Sequence, residues 1–339
     1  MTNPVTHTTD IAIIGAGPVG LFTVFQCGML KMSTHVIDAL PATGGQCTAL
    51  YPEKPIYDIP AAPNINAVDL VTRLEQQIAP FHPVFHLNQQ VIALENLGEQ
   101  WLLTTSAGNT IIAKAVIIAA GAGAFGPNKP PLPGIERYEG TSVHYFVQKQ
   151  DIFRDRRIVI AGGGDSAVDW ALALADVAAE IYVVHRRDRF RAVPDNVQQM
   201  KDLAKQGKIE LVIPYHLAAL EGEGDQLSAV HLKDLDGHQR CITADHLLSF
   251  FGLASKLGPI NEWGLDIHHG LIRVEPTTCA TNRPGIFAVG DIVSYPHKLK
   301  LILSGFAECA QAAHAAFKVV NPGEALNFVH STTLGIPPL

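Results

Sequence analysis

Asp10-Ile11-Ala12-Ile13-Ile14-Gly15-Ala16-Gly17-Pro18-Val19-Gly20 is an apolar run that empties into a glycine turn. Residues 21–30 then read as a helix, and a second apolar strand, 35–37, stops at Asp38. The order is strand, G-x-G-x-x-G, helix, strand, acid. Gly15 permits the tight turn, Gly17 lets backbone approach a pyrophosphate, and Gly20 lets the helix pack close to the strand. The helix N-terminus offers free N–H groups and a positive dipole end to phosphates. Asp38 stands where a carboxylate accepts hydrogen bonds from a ribose with free hydroxyls. With strand, helix and acid in register, the stretch reads as a dinucleotide-binding unit rather than a chance glycine-rich turn.

The chain has 339 residues, enough for two domains, with 47% hydrophobic and 17% charged residues, as in a globular protein with a large core. A net charge of −7 argues against nucleic acid as the default partner. Residues 1–9 carry neither a basic residue nor an apolar core, so no secretory signal is apparent. No stretch is apolar for the roughly 18 residues that a membrane span needs. Cys27, Cys47, Cys241, Cys279 and Cys309 are scattered and never spaced C-x-x-C, which fits a reducing cytoplasm and gives no disulfide framework or zinc motif. His82 and His86 flank Pro83 and cannot share a helix face, and His268-His269 reads as a turn pair, so no metal is expected.

A polar loop, Gly44-Gly45-Gln46-Cys47 to Tyr51-Pro52-Glu53-Lys54, follows the first unit. Leu70, Leu74 and Ile78 mark an amphipathic helix over 66–79. A strand is expected around Val91, a hairpin over 101–105 and 110–112, and an apolar strand over 115–120. The proline-rich run 127–133 reads as a linker. A strand at 157–161 then enters Gly162-Gly163-Gly164-Asp165-Ser166-Ala167, the same turn as G-x-G-x-x-A, followed by a helix over 166–179 and a strand over 181–184. This unit ends in His185-Arg186-Arg187-Asp188-Arg189-Phe190-Arg191 instead of an acid. Arginine pairs bidentately with phosphate, so the second nucleotide should carry a 2′-phosphate. Antiparallel strands with a turn at Asp236-Gly237, a strand ending in Gly290-Asp291, a helix over 305–320 and the tail His330-Ser331-Thr332 complete the pattern.

Together the first fingerprint, Gly44-Gly45-Gln46, the second turn with its arginines, and Ala288-Val289-Gly290-Asp291 resemble the flavoprotein reductases built of two dinucleotide folds. The chain is too short for the interface domain of the glutathione-reductase branch, so it resembles the thioredoxin-reductase-like branch. The fold that this implies is α/β, with two Rossmann-like three-layer domains: 1–122 with 252–339 for FAD, and 123–251 for NADPH. Thioredoxin reductases carry a C-x-x-C just before the second glycine turn; here that stretch holds Thr141 to Gln148 without a cysteine. In the glutathione-reductase branch the second thiol of the first loop would fall on Pro52. No local dithiol forms, so electrons are expected to leave directly from the flavin. Ala49-Leu50-Tyr51-Pro52-Glu53-Lys54, the segment Gly163 to Trp170, and His330-Ser331-Thr332 resemble the ferredoxin–NADP⁺ reductases of this type, nearly end to end.

The resemblance implies roles by residue. Gly15, Gly17, Pro18, Gly20, Asp38, Gly45, Gln46, Val91, Phe125, Gly290, Asp291, Ser331 and Thr332 would contact FAD, with Tyr51 stacked on one flavin face and His330 on the other. Gly162, Gly164, Asp165, Ser166, Ala167, His185, Arg186, Arg187 and Arg191 would hold NADPH. A hydride would pass from NADPH to FAD and single electrons on to ferredoxin or flavodoxin, with no protein acid or base required. Either a stacked ring or the domains must move for nicotinamide to reach the flavin. A homodimer is implied by the family alone. Lys298 and Lys300 are expected to offer local positive charge to an acidic ferredoxin. The alternatives are a diaphorase acting on quinones or disulfides, and a non-catalytic flavin redox sensor.

Overall fold

The computed structural model describes residues 5–326 and 330–336, and only the backbone of 124–126, 253–255, 331 and 334. The strand Thr6–Ile14 is buried on both faces at its C-terminal end. Ile11 and Ile13 belong to one apolar layer, Ala12 and Ile14 to another. The strand Thr110–Ile118 beside it divides in the same way: Ala115 and Ile117 to the first layer, Val116 and Ile118 to the second. A parallel strand apolar on both faces must be covered on both. The helices Pro18–Met29, Ala67–Ile78 and Ile302–Val320 cover one face through Val24, Leu74 and Ala313. An antiparallel meander covers the other, with Leu94, Trp101 and Leu103.

The resulting sheet has the order Val84–His86, Thr34–Ile37, Thr6–Ile14, Thr110–Ile118, Trp101–Thr105, Val91–Asn96, and Ile286–Ala288 pairs in parallel with Thr110–Ile118. That last pairing carries the chain directly into Gly290 and Asp291 beside the glycine turn. The hairpin and the apolar strand expected separately around 110–112 and 115–120 are one continuous strand. Lys114 does not interrupt it, because its alternating position lets the amine reach Asp10 at 2.9 Å.

The second unit repeats the construction. Five parallel strands lie in the order Val143–His144, His246–Phe250, Arg157–Gly162, Glu180–Val184, Glu210–Val212. Ile158, Ile160 and Val183 pack with Val168, Trp170 and Leu174 of the helix Asp165–Leu174. Val159, Ala161 and Val184 pack instead with Val230, Leu232 and Ile242 of a three-stranded antiparallel sheet. The helix ends at Leu174, short of the expected 179. The Asp155 N–H takes the carbonyl of Val177, and the Arg156 carbonyl accepts the Ala179 N–H, which draws the chain toward its next strand.

By contacts, the chain divides into 1–125 with 255–339 and a second unit, 126–254. The expected boundaries, 122 and 251, fall slightly earlier at both crossings. The crossing strands Ala124–Pro127 and Leu253–Lys256 pair with each other as a ribbon.

Candidate functional site

A cavity of about 380 Å³ opens where the strands Thr6–Ile14 and Thr34–Ile37 end. Gly15, Gly17 and Pro18 form one wall, Asp38 another, Gly45, Gln46 and Tyr51 a third, and Val91, Gly290 and Asp291 are also part of the lining. Gly15 sits at φ +111°, and a Cβ there would fall 2.4 Å from the Ala119 carbonyl oxygen, so only glycine fits. A Cβ on Gly20 would lie 1.9 Å from the Gly15 carbonyl oxygen. Gly20 therefore serves helix–strand packing and does not line the cavity. Around Gly17 the nearest atom to such a Cβ is Gly45 Cα at 4.0 Å, so its backbone is open to a close ligand.

The charges are arranged for an anion flanked by hydroxyls. Pro18 takes the first helical position, where a missing N–H costs nothing, and the Val19 and Gly20 N–H groups stay without helical acceptors at the positive end of the dipole. Asp38 accepts the Ala16 N–H at 2.6 Å on one carboxylate oxygen and the Leu40 N–H at 2.8 Å on the other. These bonds fix its orientation and leave lone pairs toward the cavity. Burial raises its pKa above the ordinary value, and the two N–H bonds oppose that shift.

Sequence reading missed Glu308. It is 2% exposed on the helix Ile302–Val320 and accepts the Gly290 N–H at 2.7 Å, the Tyr295 hydroxyl at 2.6 Å and the Lys298 ammonium. The network fixes the Gly290–Asp291 turn on the cavity wall. It also overturns one expectation. The Lys298 side chain is 6% exposed and neutralised by Glu308, so it cannot face a docking partner; Lys300 is exposed. The only sequence signal for Glu308 is an isolated acid in the apolar run Phe306-Ala307-Glu308-Cys309-Ala310.

Cys47 is buried, with its thiol 4.0 Å from the Tyr51 hydroxyl. Burial pushes the thiol pKa up to about 11, the opposite of what a reactive thiolate needs. All five cysteines are free. His330 and Thr332 are exposed at the short helix Ser331–Leu334 and do not line the cavity of their own chain. The side chains of Phe125 and Ser331 lie outside the described residues.

In the second unit, Gly164 caps the helix Asp165–Leu174, with nothing within 4 Å of an added Cβ, and Ala167 packs under Gly162. The tightest of the three glycines in this turn is Gly163, absent from the expected contacts: a Cβ there would meet the His185 ring at 2.2 Å. Arg191 donates its N–H to the Gly163 carbonyl at 2.6 Å, and Asp165 accepts the Val193 N–H at 3.0 Å. The Asp165 carboxylate thus ties the 185–193 loop to the turn instead of pointing freely at a ligand. His185 stacks near Phe190, and burial, aided by the neighbouring arginines, lowers its pKa. Arg186, Arg187 and Arg191 are exposed, and among the described residues none of them is in an ion pair. Ser166 is exposed beside them.

The model of the pyridine nucleotide-disulphide oxidoreductase family matches residues 9–317. A ferredoxin–NADP reductase of Rhodospirillum rubrum is 61% identical over 333 residues, covering 97% of this chain and 96% of its own. One from Paramagnetospirillum magneticum is 59% identical, covering 98% of each. Among solved structures, Lactococcus lactis thioredoxin reductase superposes with a TM-score of 0.78 at 27% identity, covering 92% of this chain and 99% of that one.

Proposed function

The chain belongs to the pyridine nucleotide-disulphide oxidoreductase family, in its ferredoxin–NADP reductase branch, and on that premise we propose how its residues serve that activity. It is an FAD-containing oxidoreductase that takes electrons from NADPH and delivers them to ferredoxin. The observation that carries the mechanism is the cavity that unites the first fingerprint, Asp38, Tyr51 and Asp291 with no dithiol at hand. Its residues fit FAD: a Gly17 backbone open to a close ligand, free N–H groups at a helix start, and an oriented carboxylate. When bound, FAD supplies the exchange between two-electron and one-electron chemistry.

The protein's part is to bind, orient and exclude. Gly17 and Val19 hold the pyrophosphate, Asp38 the ribose, and Val91 packs at the adenine end. Asp291, held by the Glu308 network, meets the ribityl chain, and Tyr51 covers one flavin face. Burial raises the pKa of the Tyr51 phenol, so Tyr51 stays neutral and acts as a ring, not as a base. In the second unit, Gly162, Gly164 and the helix start receive the NADPH pyrophosphate, while Arg186, Arg187 and Arg191 receive the 2′-phosphate. The chain acts as a cytoplasmic homodimer in this reading. The tail of a second copy brings His330, Ser331 and Thr332 to the flavin, which is consistent with the exposure of His330 and Thr332 outside their own cavity.

Stopped-flow reduction of the yellow protein tests this. NADPH should bleach the flavin much faster than NADH, and ferredoxin should then restore the colour at catalytic rates. Equal rates with both nucleotides would overturn the arginine assignment. Bleaching without reoxidation by ferredoxin would overturn the direct exit of electrons.

A further inference from the structure

Three histidines that the electron-transfer reading does not use converge on the first unit's sheet. The strand Thr6–Ile14 pairs with Thr34–Ile37 only from Ile11 onward; its first residues, His7 among them, pair on the other side with 110–113. The His7 ring comes to 4.8 Å from the His86 ring and 5.4 Å from the His35 ring, centroid to centroid. His35 and His86 sit on adjacent parallel strands, Thr34–Ile37 and Val84–His86, with His35 Nδ1 and His86 Nε2 3.0 Å apart. One ligand nitrogen from each of the three lies within 4.8 Å of the others. None of the three lines the nucleotide cavity. His86, set aside in the sequence because Pro83 separates it from His82, thus finds its partners across the sheet.

We propose that His7, His35 and His86 form a three-imidazole site for a divalent first-row transition cation of the zinc or nickel type. Metal–imidazole bonds of about 2.0–2.1 Å place adjacent ligand nitrogens roughly 3.3 Å apart in a tetrahedral shell, close to the His35–His86 separation. Turning the His7 ring toward this pair closes the other two edges, with water completing the shell. Imidazole suits these borderline cations, and the absence of a carboxylate among the three donors disfavours calcium and magnesium. A bound ion would clamp three strands of the first unit together from outside the redox site.

The test uses chelator-treated, FAD-loaded protein titrated with Ni²⁺ or Zn²⁺ by calorimetry, with metal content measured after dialysis. One ion per chain is expected, together with a rise in Tm, since the ion binds the folded state only. His35→Gln and His7→Gln should each weaken binding by at least about tenfold, the low end of what losing even an outer-shell partner costs. Reduction of the flavin by NADPH should be unchanged in both. Asp234→Asn serves as a control, because Asp234, Asp236 and His238 form an exposed turn cluster that could also attract cations. No saturable binding, binding that persists in both histidine variants, or binding lost in Asp234→Asn would each overturn the proposal. If His35→Gln loses its FAD, His7→Gln, at the end of its strand far from the glycine turn, decides alone.

Discussion

Glu308 shows how one buried charge can hold a whole turn. Its carboxylate is shared among the Gly290 N–H, the Tyr295 hydroxyl and the Lys298 ammonium, all at low exposure. Removing one member of a buried pair strands the other, which typically costs about 3–5 kcal/mol. Glu308→Ala should therefore lose about that much stability in urea unfolding and release FAD more readily. A wild-type midpoint would show that the network is not what holds the turn. Cys47 argues the opposite case, a residue whose environment denies it a role. Its thiol is buried and pushed up to about 11, so Cys47→Ser should reduce ferredoxin at the wild-type rate, and alkylating reagents should leave the wild-type rate unchanged. Inactivation by either would place a thiol in the electron path.

At the scale of elements, the proposed function gives the 185–193 loop the choice of nicotinamide nucleotide. Hydrogen bonds to charged groups are worth about 1.5–3 kcal/mol, so Arg186→Ala or Arg187→Ala should each raise the NADPH KM about ten- to a hundredfold. The NADH KM should stay where it is, because NADH has no 2′-phosphate; a parallel rise for both would mean that the loop reads something else. Gly163→Ala should have a related effect by another route, driving the His185 ring outward and the loop with it, while FAD content is kept. The loop's position was legible because strand, glycine turn, helix and strand are local patterns. The fixing of that loop by Asp165 was not: a carboxylate at a helix start reads as a ligand contact, yet here it accepts an N–H from Val193, 28 residues on. The same distinction explains the misreading of Lys298. A lysine just past a Gly-Asp turn looks like surface charge until the helix Ile302–Val320 brings Glu308 against it. The two-layer division of Ile11, Ala12, Ile13 and Ile14 was implicit in their unbroken apolarity, but only the sheet order shows which neighbours cover each face.

At the scale of the molecule, both units hold partly buried histidine pairs on adjacent parallel strands, and in the second unit this sets a pH limit on stability. His144 Nε2 and His246 Nδ1 lie 3.1 Å apart, and Phe153 meets both rings edge-on. Burial lowers both pKa values, that of His144 to about 4. In the unfolded chain a histidine titrates near 6.5. Between about pH 6.5 and 4 the unfolded state therefore binds protons that the folded state refuses, and stability must fall as the pH falls through this window. Above it both states are neutral at these positions, and the pair contributes no slope. The urea midpoint of metal-free protein, followed through the fluorescence of Trp170 in the same unit, should hold level from pH 8 to about 7 and then drop toward pH 4. Carboxylates paired in the folded state, such as Asp245 with Arg157, lower stability mainly at still more acid pH, because their pKa values lie below the ordinary range. A variant carrying both His144→Gln and His246→Gln should flatten the slope between 6.5 and 4 without abolishing it, because His185, also lowered by burial, keeps a share, and should keep the steeper acid limb. An unchanged slope in that variant would mean that other groups carry the proton linkage.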